Sequence, residues 1–155
     1  MQVTDAEVVD AVLRASRVLV SVAARSLAAV DHDVTLPQYR ALVVLASRGP
    51  QRPSELADAL AVHPSTITRL CDRLAAKRLV HRAESAVSRR EVVIELAPRG
   101  RRLVDAVTER RRVEIGEVVA EVPQRERAAL VRALHALGDA AAEPSDAAWF
   151  IGTGP

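Results

Sequence analysis

"AVHPSTITRLCDRLAAKRLVHRAESAVSRREVVIEL", residues 61–96, is the stretch on which the fold turns. Pro64 sits where a helix tolerates proline, in the first turn, and Ile67 and Leu70 follow at helical spacing. After Leu79 the period changes. "LVHRAE" and "REVVIEL" are strand-like and rich in β-branched residues, and the "SAVS" between them is short enough for a hairpin loop. A helix studded with hydroxyls therefore leads into a two-stranded ribbon that carries Arg89 and Arg90 side by side.

Upstream, Pro53 opens "PSELADAL", a short helix separated from the one at Pro64 by only "AVH". Before it, Thr35 and Gln38 fit a capping box, Pro37 lies in the first turn, and "YRALVVLASRG" runs to a stop at Gly49-Pro50. Thr4 and Glu7 make an earlier capping box. Val8, Val12, Ala15, Leu19, Ala23, Leu27 and Val30 follow at helical spacing, which predicts a first helix of roughly 25 residues ending near "DHD". Downstream, Pro98 and Gly100 punctuate the return to helix. A long helix is expected from Arg101 to about Val122, and "QRERAALVRALHALGDAAAE" reads as a last amphipathic one after Pro123. The closing "PSDAAWFIGTGP" reads as a tail without its own core.

At 155 residues the chain is expected to form one domain, mainly α with a small β-hairpin. Cys71 is its sole cysteine, so an intrachain disulfide and paired-cysteine zinc spacing are both excluded, and a reducing cytoplasm fits. The N-terminus has acids where a signal peptide needs bases, and no apolar run approaches the ~18 residues of a membrane span. Tyr39, Trp149 and Phe150 are the only aromatics, which argues against a single-strand binder that stacks bases on aromatic platforms.

Charge is concentrated. Residues 64–102 hold ten bases against four acids, a net of +6, while the rest of the chain holds twelve against sixteen, a net of −4. A polyanion is the natural partner of such a segment. In helix, tight turn, helix, the first helix braces the second, and a small residue is needed where they cross. Ala57 meets that need, and Leu56, Leu60, Val62, Ile67 and Leu70 serve as apolar anchors. Ser65, Thr66, Thr68, Arg69 and Arg73 are left on the outer face, where they can reach base edges and phosphates in a major groove. Arg89 and Arg90 at the hairpin suit the strong negative potential of a narrow minor groove. Double-stranded DNA, met in two adjacent grooves, is the expected partner.

These segments together, "TLPQYRALVVLA", "PSELADAL", "PSTITRLCDRLAAKRLV" and "SRREVVIELAPRG" with long helices on either side, resemble the MarR family of winged helix-turn-helix transcription regulators. The resemblance spans nearly the whole chain. It implies a winged helix-turn-helix lobe at 34–98, a helical dimerisation region at 4–31 and 99–143, and a C-terminal tail at 144–155. It further implies a homodimeric repressor on inverted-repeat operators, with a recognition helix at 64–77 and a wing at 81–96. By position Arg90 matches the wing-tip arginine, and Ser65, Thr66, Thr68 and Arg69 match the base-facing part of the recognition helix. The resemblance implies an effector site between the first and second helices and the start of the fifth. With Tyr39 the only aromatic in the body of the chain, that pocket is expected to be mostly aliphatic, with Arg14, Arg17, His32 or Arg40 as polar anchors for a small anionic or phenolic compound.

The chain departs from the family pattern at four positions. Ser88 replaces an aspartate ahead of the wing arginines, so the wing is expected to be looser. Ala61 and Arg78 stand at turn glycines, where a left-handed backbone would be strained by about 1 kcal/mol. His63 replaces a serine-like N-cap, which weakens the cap but brings an imidazole beside the DNA backbone.

Other chemistries find less support. Cys71 reads as a small residue packed at the edge of the helix core, with a redox role as the alternative. "DHD" at 31–33 offers oxygens and an imidazole, but His63, His81 and His135 lack metal-ligand spacing. No cofactor is implied. No nucleophile elbow, phosphate loop or acid pair is present, so an enzyme is not expected. A winged helix that binds protein instead would show acids or exposed apolar residues on its recognition face, where this chain has Arg69, Arg73 and Lys77.

Overall fold

The structure, a computed structural model, describes residues 3–142. Six helices and one hairpin run in the order α1 (Asp5–Val30), α2 (Leu36–Arg48), α3 (Pro53–Leu60), α4 (Pro64–Ala76), β1 (Val80–Glu84), β2 (Val92–Leu96), α5 (Pro98–Ala120) and α6 (Gln124–Ala140). Both capping boxes form. Thr4 Oγ1 accepts the Glu7 N–H while the Glu7 carboxylate takes the Thr4 N–H, and Thr35 and Gln38 do the same for α2. Gly49 ends α2 at φ 77°, a backbone angle that other residues reach only with strain.

Two boundaries differ from the sequence reading. Helix α5 begins at Pro98 rather than Arg101, because Ala97 takes the extended N-cap conformation and its carbonyl accepts the Arg101 N–H. The hairpin loop covers residues 85–91, not only "SAVS". The Ser85 N–H bonds the Glu91 carbonyl at 2.8 Å, closing a wider loop beyond the last strand pair, Glu84 with Val92. The strands pair antiparallel, and Ile94 of β2 exchanges both backbone bonds with Gln51, which pins the hairpin to the linker between α2 and α3.

The core lies inside the α2–β2 lobe and the start of α5. Leu42, Leu45, Leu56, Ile67, Leu74, Leu79, Ile94, Val104 and Val107 are almost wholly buried, each contributing about 1.5–3 kcal/mol by the transfer of its side chain from water. Gly100 is required where α5 enters this core, since a β-carbon there would stand 2.1 Å from the Leu79 carbonyl oxygen. Helix α1 crosses α5, with the buried Ser26 hydroxyl on Glu114 at 3.0 Å and Arg25 on the same carboxylate at 3.2 Å. The tail at 144–155 lies outside the described residues.

Candidate nucleic-acid interface

The turn between α3 and α4 sets the recognition face. Ala57 is buried at the crossing, and Ala61 adopts the left-handed conformation (φ 53°, ψ 46°) that lets the Ala61 N–H reach the Asp58 carbonyl and the Val62 N–H reach that of Ala57. Helix α4 then buries Ile67, Leu70, Cys71 and Leu74. Spacing fixes the outcome: Ser65, Thr66, Thr68, Arg69 and Arg73 are all exposed on the opposite face. Arg78, just past the C-cap, is also left-handed, at φ 58°.

His63 is a working N-cap rather than a weakened one. Its Nδ1 accepts the Ser65 N–H at 3.3 Å and lies 2.9 Å from the Ser65 hydroxyl, so the imidazole satisfies a donor that a serine would otherwise take. Thr68 donates its hydroxyl to the Pro64 carbonyl at 3.2 Å, which holds the side chain in place and leaves its oxygen to accept from a base.

In the wing, serines take over local turn chemistry. Ser85 Oγ accepts the Val87 N–H at 3.2 Å, Ser88 Oγ accepts the Arg90 N–H at 3.4 Å, and the Ser88 carbonyl accepts from Glu91 at 3.0 Å. The loop thus has an internal hydrogen-bond framework despite lacking the expected aspartate. Arg89 and Arg90 are exposed at its tip.

Charge pairing sorts the bases into two sets. Arg69, Arg73, Arg89 and Arg90 make no ion pair with a carboxylate among the described residues. Arg82 instead bonds Asp72 at 2.6 Å, tying the recognition helix to the wing strand. Arg52 bonds Glu55 at 2.8 Å and faces Glu91 at 3.7 Å, tying the far end of the wing to α3. The hydrogen bond and charge of Arg52 hold the Glu55 carboxyl below its ordinary range. Neither bracing pair was visible from spacing, because Arg52 and Glu91 meet only through the bridge at Gln51. Cys71 is buried, and desolvation pushes its thiol above the usual pKa, partly opposed by Arg82; the nucleophilic thiolate is thereby disfavoured.

A pocket of about 300 Å³ lies between α1 and α2, lined by Leu19, Val20, Tyr39, Arg40 and Val43, with Arg111 closing one side. Of the five effector contacts expected from sequence, Tyr39 and Arg40 meet here. Arg14 and Arg17 lie on exposed positions nearer the start of α1, and His32 is exposed beside Asp33 at 3.6 Å. The α5 wall is Arg111 in mid-helix, not the start of that helix. The Tyr39 hydroxyl and Arg111 Nε are buried without a hydrogen-bond partner, a costly state for two donors. Among the described residues no group of three His, Cys, Asp or Glu could hold a metal ion, and no helix is long and apolar enough to cross a membrane.

With this geometry in place, similarity to known proteins points one way. A family model described as MarR family matches residues 32–91. The HTH-type transcriptional repressor NicR of Pseudomonas putida is 37% identical over 79 residues, 51% of this chain and 50% of NicR, so the chain spans about half the length of that relative. The HTH-type transcriptional regulator YsmB of Bacillus subtilis is 30% identical over 104 residues, covering 67% of this chain and 71% of YsmB. The crystal structure of RV1404 from Mycobacterium tuberculosis superposes with a TM-score of 0.84 at 43% identity, over 94% of this chain and 99% of the other. Wild-type apo MarR from E. coli shares the fold, with a TM-score of 0.70 at 20% identity over 88% and 98%.

Proposed function

The chain belongs to the MarR family of transcriptional regulators, and on that premise we propose that it works in the cytoplasm as a homodimeric repressor on inverted-repeat operators. One observation carries the reading. The four arginines without carboxylate partners, Arg69, Arg73, Arg89 and Arg90, stand on a recognition helix and a wing that the Asp72–Arg82 pair holds together. Ser65, Thr66 and Thr68 supply short donors and acceptors for base edges, the arginines supply phosphate and minor-groove contacts, and the exposed His63 imidazole stands at the edge of the surface. NicR is a repressor by name, which supports the sign of regulation. Selection of bound sites from random duplex DNA tests the proposal. An inverted repeat with half-sites about 34 Å apart is expected, together with affinity that falls steeply with salt; unselective, salt-insensitive binding would reject it.

The pocket between α1 and α2 supports effector control. Arg40, Arg48 and Arg111 among its lining residues suit an anionic head group, and its other walls are mostly aliphatic, which suits a small anionic or phenolic compound. Binding there would bias the spacing of the two recognition helices. Salicylate-like acids at millimolar concentration are expected to release DNA and raise the thermal midpoint. An unchanged complex with an unchanged midpoint would remove this class of effector.

A further inference from the structure

Of the 22 basic residues in the chain only one is a lysine, Lys77, at the C-cap of the recognition helix. Its charge places it with the DNA-facing bases; its contacts do not. The ammonium donates to the Asp33 carbonyl, 44 residues away, and to Gln38 Oε1 at 3.3 Å. Gln38 is buried, and the same Oε1 accepts the Thr35 N–H at 3.1 Å in the α2 cap. Asp33 lies in the short loop that joins α1 to α2, where its own N–H is held by Asp31 Oδ1 at 2.9 Å. One compact cation thus gathers a loop carbonyl and a cap oxygen at the junction where α1 ends.

The choice of lysine at this position has a physical reason. A tetrahedral ammonium can satisfy two oxygens that converge from different elements, whereas a planar guanidinium presents its donors as a fork suited to carboxylate or phosphate. Twenty-one arginines elsewhere make the exception informative. The recognition helix is held at its start by the turn to α3 and along its length by the Asp72–Arg82 pair. Its far end is held by Lys77, which is followed at once by the left-handed Arg78 and the buried Leu79.

We propose that Lys77 is a positioning residue for DNA binding: its ammonium straps the C-terminal end of the recognition helix to the α1–α2 junction and makes no contact with the DNA backbone. This rests on the DNA-binding reading above, and the test separates the two. In the free protein, an amine-reactive ester can label only Lys77 and the N-terminal amine. Lys77 is expected to react at least tenfold more slowly than in the urea-unfolded chain, because its ammonium is held by two acceptors. Adding operator duplex is expected to leave that rate unchanged. Fast labelling in the free protein would overturn the strap whatever the protein binds. Strong protection that appears only with DNA would make Lys77 a phosphate contact.

A second readout is the salt dependence of affinity. Lys77→Met is expected to bind about tenfold more weakly at every salt concentration, the equivalent of one charge-assisted hydrogen bond, with the slope of log affinity against log salt unchanged. A slope lowered by about one, the signature of a lost phosphate contact, or an affinity equal to wild type would each overturn the proposal. If wild-type protein shows no salt-dependent DNA binding, the DNA reading fails while the labelling result still decides the strap.

Discussion

In α2, with 13 residues, Gln38, Tyr39, Ala41, Leu42, Leu45 and Ala46 are buried; in α6, with 17, none is. Helix α1 lies nearer the second case, with Val22, Ser26 and Leu27 buried out of 26 residues, and Val8, Val12, Leu13, Leu19 and Val20 exposed. The lobe closes its core within one chain. The flanking helices carry the same residue types at the same spacing and leave them in water, along with Val113, Val118, Val131, Leu134 and Leu137. Sequence periodicity alone treats the two regions alike. Burial separates them, and the unfilled stripe is what the proposed homodimer would cover.

The largest effect is expected from charging that stripe. Val12→Asp with Leu134→Asp should convert a dimer to a monomer in sedimentation. It should also weaken binding to an inverted repeat by about 10²–10⁴-fold, the advantage of tethering two half-site readers. If the double variant sediments as wild type does, the two regions differ for some reason other than dimerisation. Within the lobe the corresponding lesion is Leu42→Ala, fully buried. Urea denaturation should show a loss of about 2–5 kcal/mol from lost transfer energy and the cavity left behind. A loss under 1 kcal/mol would mean that the lobe relaxes as freely as an exposed helix.

The same contrast explains what could be read from the sequence. Pro53 and Pro64 mark helix starts because proline's constraints are local, and the Thr4–Glu7 and Thr35–Gln38 boxes form because each closes within four residues. Features built from distant residues were not legible. The Arg52–Glu91 and Asp72–Arg82 braces, the Lys77 strap and Arg111 at the pocket wall all depend on tertiary approach. Arg14, Arg17 and His32, candidate polar anchors of the site that the resemblance implies, are not among the residues lining the α1–α2 pocket. The left-handed turns at Ala61 and Arg78 were legible in a different way, as positions where the resembled family keeps glycine.

At the lobe's surface, Arg90→Ala should weaken binding to every duplex by about tenfold at low salt and lower the salt slope by about one, leaving the selected site unchanged. The measurement is a titration of fluorescent duplex across salt concentrations. Arg90 has no carboxylate partner among the described residues, so its removal strands no opposite charge. A changed site preference with an unchanged slope would assign Arg90 to a base rather than to the groove's potential.

The smallest predicted effect compares the two regions through one backbone angle. Ala61 in the lobe and Ala142 after α6 are both left-handed, at φ 53° and φ 54°. A β-carbon in that conformation costs about 1–2 kcal/mol, and glycine removes the cost while adding about 0.4–1 kcal/mol of unfolded-state entropy. Ala61 cannot escape its strain, because the Val62 N–H on Ala57 and the packing of α3 against α4 dictate the turn. Ala61→Gly should therefore stabilise the protein by about 0.5–1 kcal/mol, a rise of a few degrees in thermal midpoint. Ala142 follows a helix with no buried residue, so its strain can be relieved by fraying of the last turn, and Ala142→Gly should change the midpoint by less than about one degree. Equal shifts for the two variants would show that the last turn of α6 is held as firmly as the core of the lobe, so that the stripe covered in the proposed dimer would run past Leu137 to the helix end.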